Sequence, residues 1–297
     1  MTFQPYPTRA GWIALAAGLV LATVAILMLN IVLDPPGPPQ FFQAVVAFLV
    51  ALGLALMAIY WAIAGLTLRY HLNRNGIVIQ WGVAQQFIPF EHIIKIVPGH
   101  TLSDLPTFRG VNFIGLRFGR GELPGFRLLR FRSTALVGHS LLVITDRASY
   151  VISPQQPEAF IKAWQARQSL GPTQDWPEGI SRRWPFDTPL FNDALALWLI
   201  GLSAALLLVL LGLISLTYSA LPAALPIHFD SLGRADRIAP KLFLFTLPVA
   251  GAIVWVVNLV FGGILYRREQ IGAYLLWGST IVTMICLWVA LFTITGA

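Results

Sequence analysis

Arg117, Arg120, Arg127, Arg130 and Arg132 fall within sixteen consecutive positions, and the guanidinium is the side chain best matched in shape and charge to phosphate and carboxylate oxygens. Such a cluster would hold an anion. Facing a negative leaflet, each basic residue adds about 1 kcal/mol of attraction to anionic headgroups. An acidic segment of a partner protein would satisfy the same charges. The plainer reading is a solvated strand face combined with the excess of Arg and Lys that cytoplasmic loops carry, and composition favours it. Arg130 and Arg132, two apart, share a face of any strand they occupy. Nucleic acid is a poorer partner, because no recognition helix or aromatic platform accompanies the basic residues.

A second polar group, Pro226, His228, Phe229, Asp230, Gly233 and Asp236, lies between two apolar runs. His228 and Asp230, with Asp236 as a third donor, would make part of a metal site. No further ligand pair stands on that side, so a rigid turn with His228 and Asp236 bonded to the backbone is expected, and no metal. Gly119 to Gly125 lacks the Gly-Lys-Ser/Thr ending of a phosphate loop and meets Pro124 where a helix should begin. There is no Gly-x-Ser-x-Gly and no His-Glu-x-x-His, and the histidines are dispersed at 71, 92, 100, 139 and 228. Cys286 is the one cysteine. These features predict no catalytic residues and no cofactor.

The elements that must position these groups divide sharply. The chain is 57% hydrophobic and 11% charged, so lipid must be part of its solvent. Runs free of Asp, Glu, Lys and Arg cover 10–33, 41–68, 194–217, 242–266 and 271–297, each long enough to span a bilayer. The first is too long for the apolar core of a signal peptide and ends in Asp34-Pro35-Pro36-Gly37-Pro38-Pro39, a turn that closes a helical hairpin. Arg9, the pair Arg69 and Arg74, the pair Arg182 and Arg183, and the pair Arg267 and Arg268 all fall on one side. The positive-inside rule then predicts a multi-pass inner-membrane protein, with its N-terminus and residues 69–190 cytoplasmic and 34–40, 218–241 and the C-terminus outside. Arg234, Arg237 and Lys241 run against this and are partly balanced by Asp230 and Asp236. No charged residue lies in a span core, which disfavours a coupled transporter. Asn30, Pro248 and Asn258 are expected to serve packing or a kink.

Between the second and third spans the pattern changes to period-two alternation. Leu66, Leu68, Tyr70 and Leu72 alternate with polar residues, Arg74-Asn75-Gly76 turns, and Ile77, Ile79 and Trp81 return. Further strands are expected at 85–89, 93–97, 126–132, 141–145 and 150–152. A helix follows, opened by Ser153 and Gln156 as a capping box and presenting Phe160, Ile161 and Trp164 on one face. Residues 69–190 hold 14 basic and 8 acidic side chains, a net +6. Trp176, Trp184 and Phe186 around Arg182 and Arg183 suit either the headgroup region or a plain linker.

The stretches Asn75-Gly76-Ile77-Val78-Ile79-Gln80-Trp81-Gly82, Ile88-Pro89-Phe90-Glu91-His92-Ile93, Thr145-Asp146-Arg147 and Tyr150-Val151-Ile152-Ser153-Pro154 with Pro157-Glu158-Ala159-Phe160 resemble the bacterial pleckstrin-homology-like domains. That resemblance implies a seven-stranded barrel or sandwich capped by a helix. The order Pro226, His228-Phe229, Asp230, Gly233, Asp236 between two spans resembles the uncharacterised membrane domain found in SdpI-type immunity proteins, in which it belongs to a sensor.

The reading is a membrane α-helical protein of about five transmembrane helices plus a soluble β-rich pleckstrin-homology-like barrel capped by a C-terminal α-helix. Its parts are an N-terminal hairpin (1–67), the cytoplasmic domain (68–170), a juxtamembrane linker (171–190) and a three-span region (191–297) with an outer loop (218–241). A non-enzymatic binding, regulatory or sensing role is expected, with the bilayer and anionic headgroups or an acidic protein as partners. A small-solute transporter or channel, and a membrane enzyme using His228 and Asp230, are the alternatives.

Overall fold

The computed structural model describes residues 1–296 except 103, 105, 127, 169–177, 183–189, 191–192 and 230–234, and only the backbone of Arg182 and Phe229. Arg127, Asp230, Gly233, Trp176, Trp184 and Phe186 therefore lie outside the described residues. In chain order the elements are β1 (Thr2–Phe3), α1 (Ala10–Leu33), α2 (Pro38–Thr67), β2 (Arg69–Leu72), β3 (Gly76–Trp81), β4 (Ala84–Pro89), β5 (Ile93–Pro98) and β6 (Arg109–Phe113). There follow β7 (Leu116–Gly121), β8 (Leu129–Ser133), β9 (Leu141–Thr145), β10 (Ser149–Ile152), α3 (Pro157–Gln168) and β11 (Gly179–Arg182). The chain ends with α4 (Ala194–Thr217), β12 (Ala224–Phe229), β13 (Ala235–Pro240), α5 (Thr246–Leu265) and α6 (Gln270–Thr295). Among the described residues five helices are long and apolar enough to cross a membrane: α1, α2, α4, α5 with the turn before it, and α6. The chain is a multi-pass membrane protein. It forms two compact units, one of Met1–Val24 with Ala51–Asp187, the other of Ala25–Val50 with Thr188–Ala297.

In the first unit the strands make two sheets, ordered β1-β2-β3-β4-β11 and β5-β9-β10-β8-β7-β6, and not the closed barrel expected. The reason lies at the edges: the free edge of β4 is taken by β11, and β5 pairs with β9, so the chain changes sheets at the single turn Phe90–His92. Tyr70, Ile77, Ile79 and Ile88 of the first sheet and Phe118, Val143, Tyr150 and Ile152 of the second share one apolar cluster, which Phe160 and Trp164 of α3 complete. A second cluster, Leu123, Leu129, Phe131, Val137, Leu142 and Val151, uses the other face of the second sheet. That sheet is covered on both sides, which is why β9 and β10 read as nearly unbroken apolar runs.

Three details differ from expectation. The helix of the second span persists to Thr67, where strand alternation was expected from Leu66. The hairpin of β6 and β7 falls where no strand was expected. The Ser153 hydroxyl does not cap α3; it accepts the Thr134 amide at 2.7 Å, and Pro157 opens the helix from its first position, where a missing N–H does no harm.

The second unit holds α4, α5 and α6 together by bonds suited to lipid, where every polar group must find an internal partner. Indole N–H groups donate across helices: Trp255 to the Ser203 hydroxyl at 3.1 Å, Trp277 to the Asn258 carbonyl at 3.1 Å and Trp288 to the Leu206 carbonyl at 3.3 Å. The Asn258 amide donates to the Thr280 hydroxyl at 2.9 Å, the packing role expected of it. Pro248 sits in the first turn of α5, where proline is tolerated, and makes no mid-helix kink.

Asp193 joins three helix ends. It caps α4 by accepting the Leu195 and Ala196 amides at 3.0 and 3.2 Å, and it accepts the hydroxyls of Tyr266, at 2.7 Å, and Tyr274. The Tyr274 hydroxyl first, then that of Tyr266, hold the carboxyl below the usual carboxylate range. A depressed carboxyl stabilises the folded chain above the ordinary carboxylate pKa, and this contribution is lost as pH falls through the depressed value. Asp193→Ala is expected to lower the melting temperature by several degrees at pH 7 and to flatten its fall in acid; equal acid sensitivity in both proteins would reject the assignment.

Candidate functional site

Registry, not sequence proximity, decides which arginines act together. In β6, β7, β8 and β10, Arg109 stands opposite Arg120, Arg120 opposite Arg130, and Arg130 opposite Tyr150. Directly opposed residues share a face, so these four form a row across the second sheet. Arg132 lies two residues along the same strand, opposite Phe118 and Ile152, and is on the same face. Arg117 is on the other face, with its guanidinium 5.9 Å from the Phe108 ring centre, and does not join them. The shared face is the one that carries Phe118, Tyr150 and Ile152 into the inter-sheet cluster. Of the arginines expected on a solvated face, Arg120 is exposed while Arg130 and Arg132 are half-buried; Arg109, not among them, is exposed as well.

The Arg132 guanidinium is 4.6 Å from the Trp81 ring centre and 5.4 Å from that of Phe118. Its Nη1 donates to the Phe131 carbonyl at 2.6 Å, while Nε is closed off from solvent and unpartnered. Burial, followed by the repulsion of Arg130, pulls its pKa from 12.5 down to about 10. Arg130 lies over the Tyr150 ring at 5.8 Å, and the Tyr150 hydroxyl donates to Glu178 Oε1 at 2.7 Å. Among the described residues no carboxylate pairs with Arg109, Arg120, Arg130 or Arg132. A half-buried guanidinium with like charges beside it and no carboxylate paired to it among the described residues gains from an arriving anion.

The end of α2 frames this face. With 30 residues α2 is about 45 Å long, against about 30 Å of hydrocarbon, so part of it must run into the headgroup level. Trp61 packs edge-on against Phe118 at 5.6 Å, Tyr60 lies close enough to raise the Arg132 pKa, and the Thr67 hydroxyl accepts the Gly82 amide at 2.6 Å. Sequence reasoning found the arginines but not their aromatic neighbours; the Arg-x-Arg alternation in β8 was the available signal, and it names a face without saying what covers it.

The outer-loop residues are placed differently from the expectation. β12 and β13 form a hairpin with an irregular register around Pro226 and His228. The His228 ring Nδ1 and Asp236 Oδ1 are 2.6 Å apart, bonded to each other and, among the described residues, to no backbone group, and both are exposed. Lys241, which ran against the charge rule, is engaged locally. Its ammonium donates to the Tyr218 and Leu221 carbonyls at 2.9 and 3.3 Å, just past the C-terminal end of α4, and lies 4.5 Å from the Tyr218 ring centre.

A family model described as a bacterial PH domain matches residues 68–168. A second, a domain of unknown function (DUF1648) that is also found in SdpI-type immunity proteins, matches residues 205–252, which include the whole β12–β13 hairpin. No curated protein and no solved structure matches the chain.

Proposed function

We propose that this protein is a non-catalytic, membrane-anchored binding and regulatory protein whose PH-like domain holds an anionic, phosphate-bearing headgroup of the adjacent leaflet on Arg120, Arg130 and Arg132. The observation that carries this reading is the guanidinium of Arg132, drawn between Trp81 and Phe118 with Arg130 and Arg120 on the same face and no carboxylate paired to any of them among the described residues. The aromatic end of α2 beside it supports a lipid source over an acidic protein segment. In this reading the first unit's β-rich part lies on the cytoplasmic side, where anionic lipids concentrate, and the β12–β13 hairpin lies outside.

The test uses the full chain in nanodiscs of mixed anionic and zwitterionic lipid, with retained lipid counted by native mass spectrometry. Removing two charges by R120Q with R130Q should weaken retention of the anionic lipid by about 2 kcal/mol, or about 30-fold. Retention of the zwitterionic lipid should not change. Equal loss of both lipids, or no loss of either, would remove the headgroup from the site.

A further inference from the structure

We propose that His92, Asp146 and Glu178 bind one first-row divalent cation, Zn2+ or Mn2+. The three come from separate segments of the first unit: the turn where the chain changes sheets, the turn between β9 and β10, and the residue before β11. Each offers one ligand atom, and these atoms all lie within 4.8 Å of one another. Donors held about 2.0–2.2 Å from one tetrahedral ion stand about 3.3–3.6 Å apart, so closure draws the farthest pair together by at most about 1.5 Å. Asp146 is exposed and His92 half-buried, which leaves an entry path.

An independent observation comes from Glu178. Its Oε1 is occupied by the Tyr150 hydroxyl, but Oε2 is shut away from solvent and has no hydrogen-bond donor among the described residues. A carboxylate oxygen removed from water without a donor is costly, and a cation supplies what is missing. The Tyr150 contact is also what a ligating carboxylate needs to fix its orientation. His92 Nδ1 already faces Asp146, at 3.0 Å, so two of the three donors are gathered before the ion arrives. One imidazole and two carboxylates suit zinc or manganese, whereas calcium seeks six to eight oxygens. Glu178 precedes a strand of the first sheet and Asp146 follows a strand of the second, so the ion would clasp the two sheets at the edge where β11 joins.

The experiment takes the full chain in detergent micelles, free of any histidine tag and stripped with chelator, and titrates ZnCl2 or MnCl2 by calorimetry while following the melting temperature. One ion per chain and a rise in melting temperature are expected for at least one metal. D146N and E178Q should each weaken binding about tenfold or more, while H228A binds as the parent does. If E178Q does not fold, D146N decides, because an exposed amide can keep the bond to His92. Absence of stoichiometric binding, parent-like binding in D146N, or a loss that follows H228A instead would each overturn the assignment.

Discussion

Tyr70→Phe is expected to remove on the order of 2–3 kcal/mol of the stability that the native protein loses between pH 10 and pH 12. Tyr70 is fully buried; its hydroxyl donates to the Arg132 carbonyl at 2.8 Å and accepts the Ser153 amide at 3.1 Å. Burial raises its pKa from 10.0 to about 12, the Ser153 bonds opposing only in part. Below pH 10 both folded and unfolded chains keep the phenol proton, and the full contribution is present. Between the two values the unfolded chain ionises while the folded one does not, so stability falls with rising pH. Tyr150, raised first by burial and then by Glu178, acts in the same direction and is untouched by the substitution. At neutral pH the variant should already lose about 1–2 kcal/mol, because the Ser153 amide is left without its acceptor. Denaturant unfolding in micelles at pH 8, 10 and 11.5, followed by near-ultraviolet circular dichroism, measures both quantities. Parallel stability curves for the two proteins would show that Tyr70 does not titrate as described.

Gly262→Leu should destabilise the three-helix region by about 3 kcal/mol, the sum of overpacking and of a displaced buried donor. A Cβ added at Gly262 would lie 2.3 Å from Trp277 Nε1, and Trp277 is only 2% exposed. Its indole would have to leave the Asn258 carbonyl, and lipid offers no substitute acceptor. Gly263 is the control, since a Cβ there meets nothing within 4 Å; Gly263→Leu should change stability by less than about 0.5 kcal/mol. Thermal unfolding of the purified variants separates the two sites, and equal losses at both would show that the indole contact does not set the effect.

The five spans were legible because a charge-free run of more than twenty residues has few other uses, and each helix begins and ends within a few residues of its run. The first meander, β2 to β4, was legible from alternation because one of its faces is apolar. β6 and β7 were not, since Gly110, Gly115, Gly119 and Gly121 break the pattern; a Cβ at Gly119 would lie 2.3 Å from the Arg109 carbonyl oxygen, so the close approach of these strands itself demands the absent side chain. Within the candidate site, the spacing of Arg130 and Arg132 gave their common face. Their direction depended on Leu129 and Phe131 being claimed by a second apolar cluster on the far side of the sheet, and that is information about contacts distant in sequence. Glu178 precedes a four-residue strand with no apolar pattern, and neither its strand nor its role left a local trace. Asp193 was readable in principle, as an acidic residue immediately before an apolar run.

The residues ahead of α1 are woven into the β-rich unit: β1 pairs with β2, the Tyr6 amide donates to the Ser153 carbonyl at 2.7 Å, and the Thr134 hydroxyl donates to the Tyr6 carbonyl at 2.6 Å. A ribosome makes that segment well before its partners, which follow about 70 residues later in β2 and well over a hundred residues later at Thr134 and Ser153, with two passages through the lipid in between. Biogenesis must therefore return the chain to its original side before this seam can close, and a partly synthesised chain holds its first strand with nothing yet to pair against.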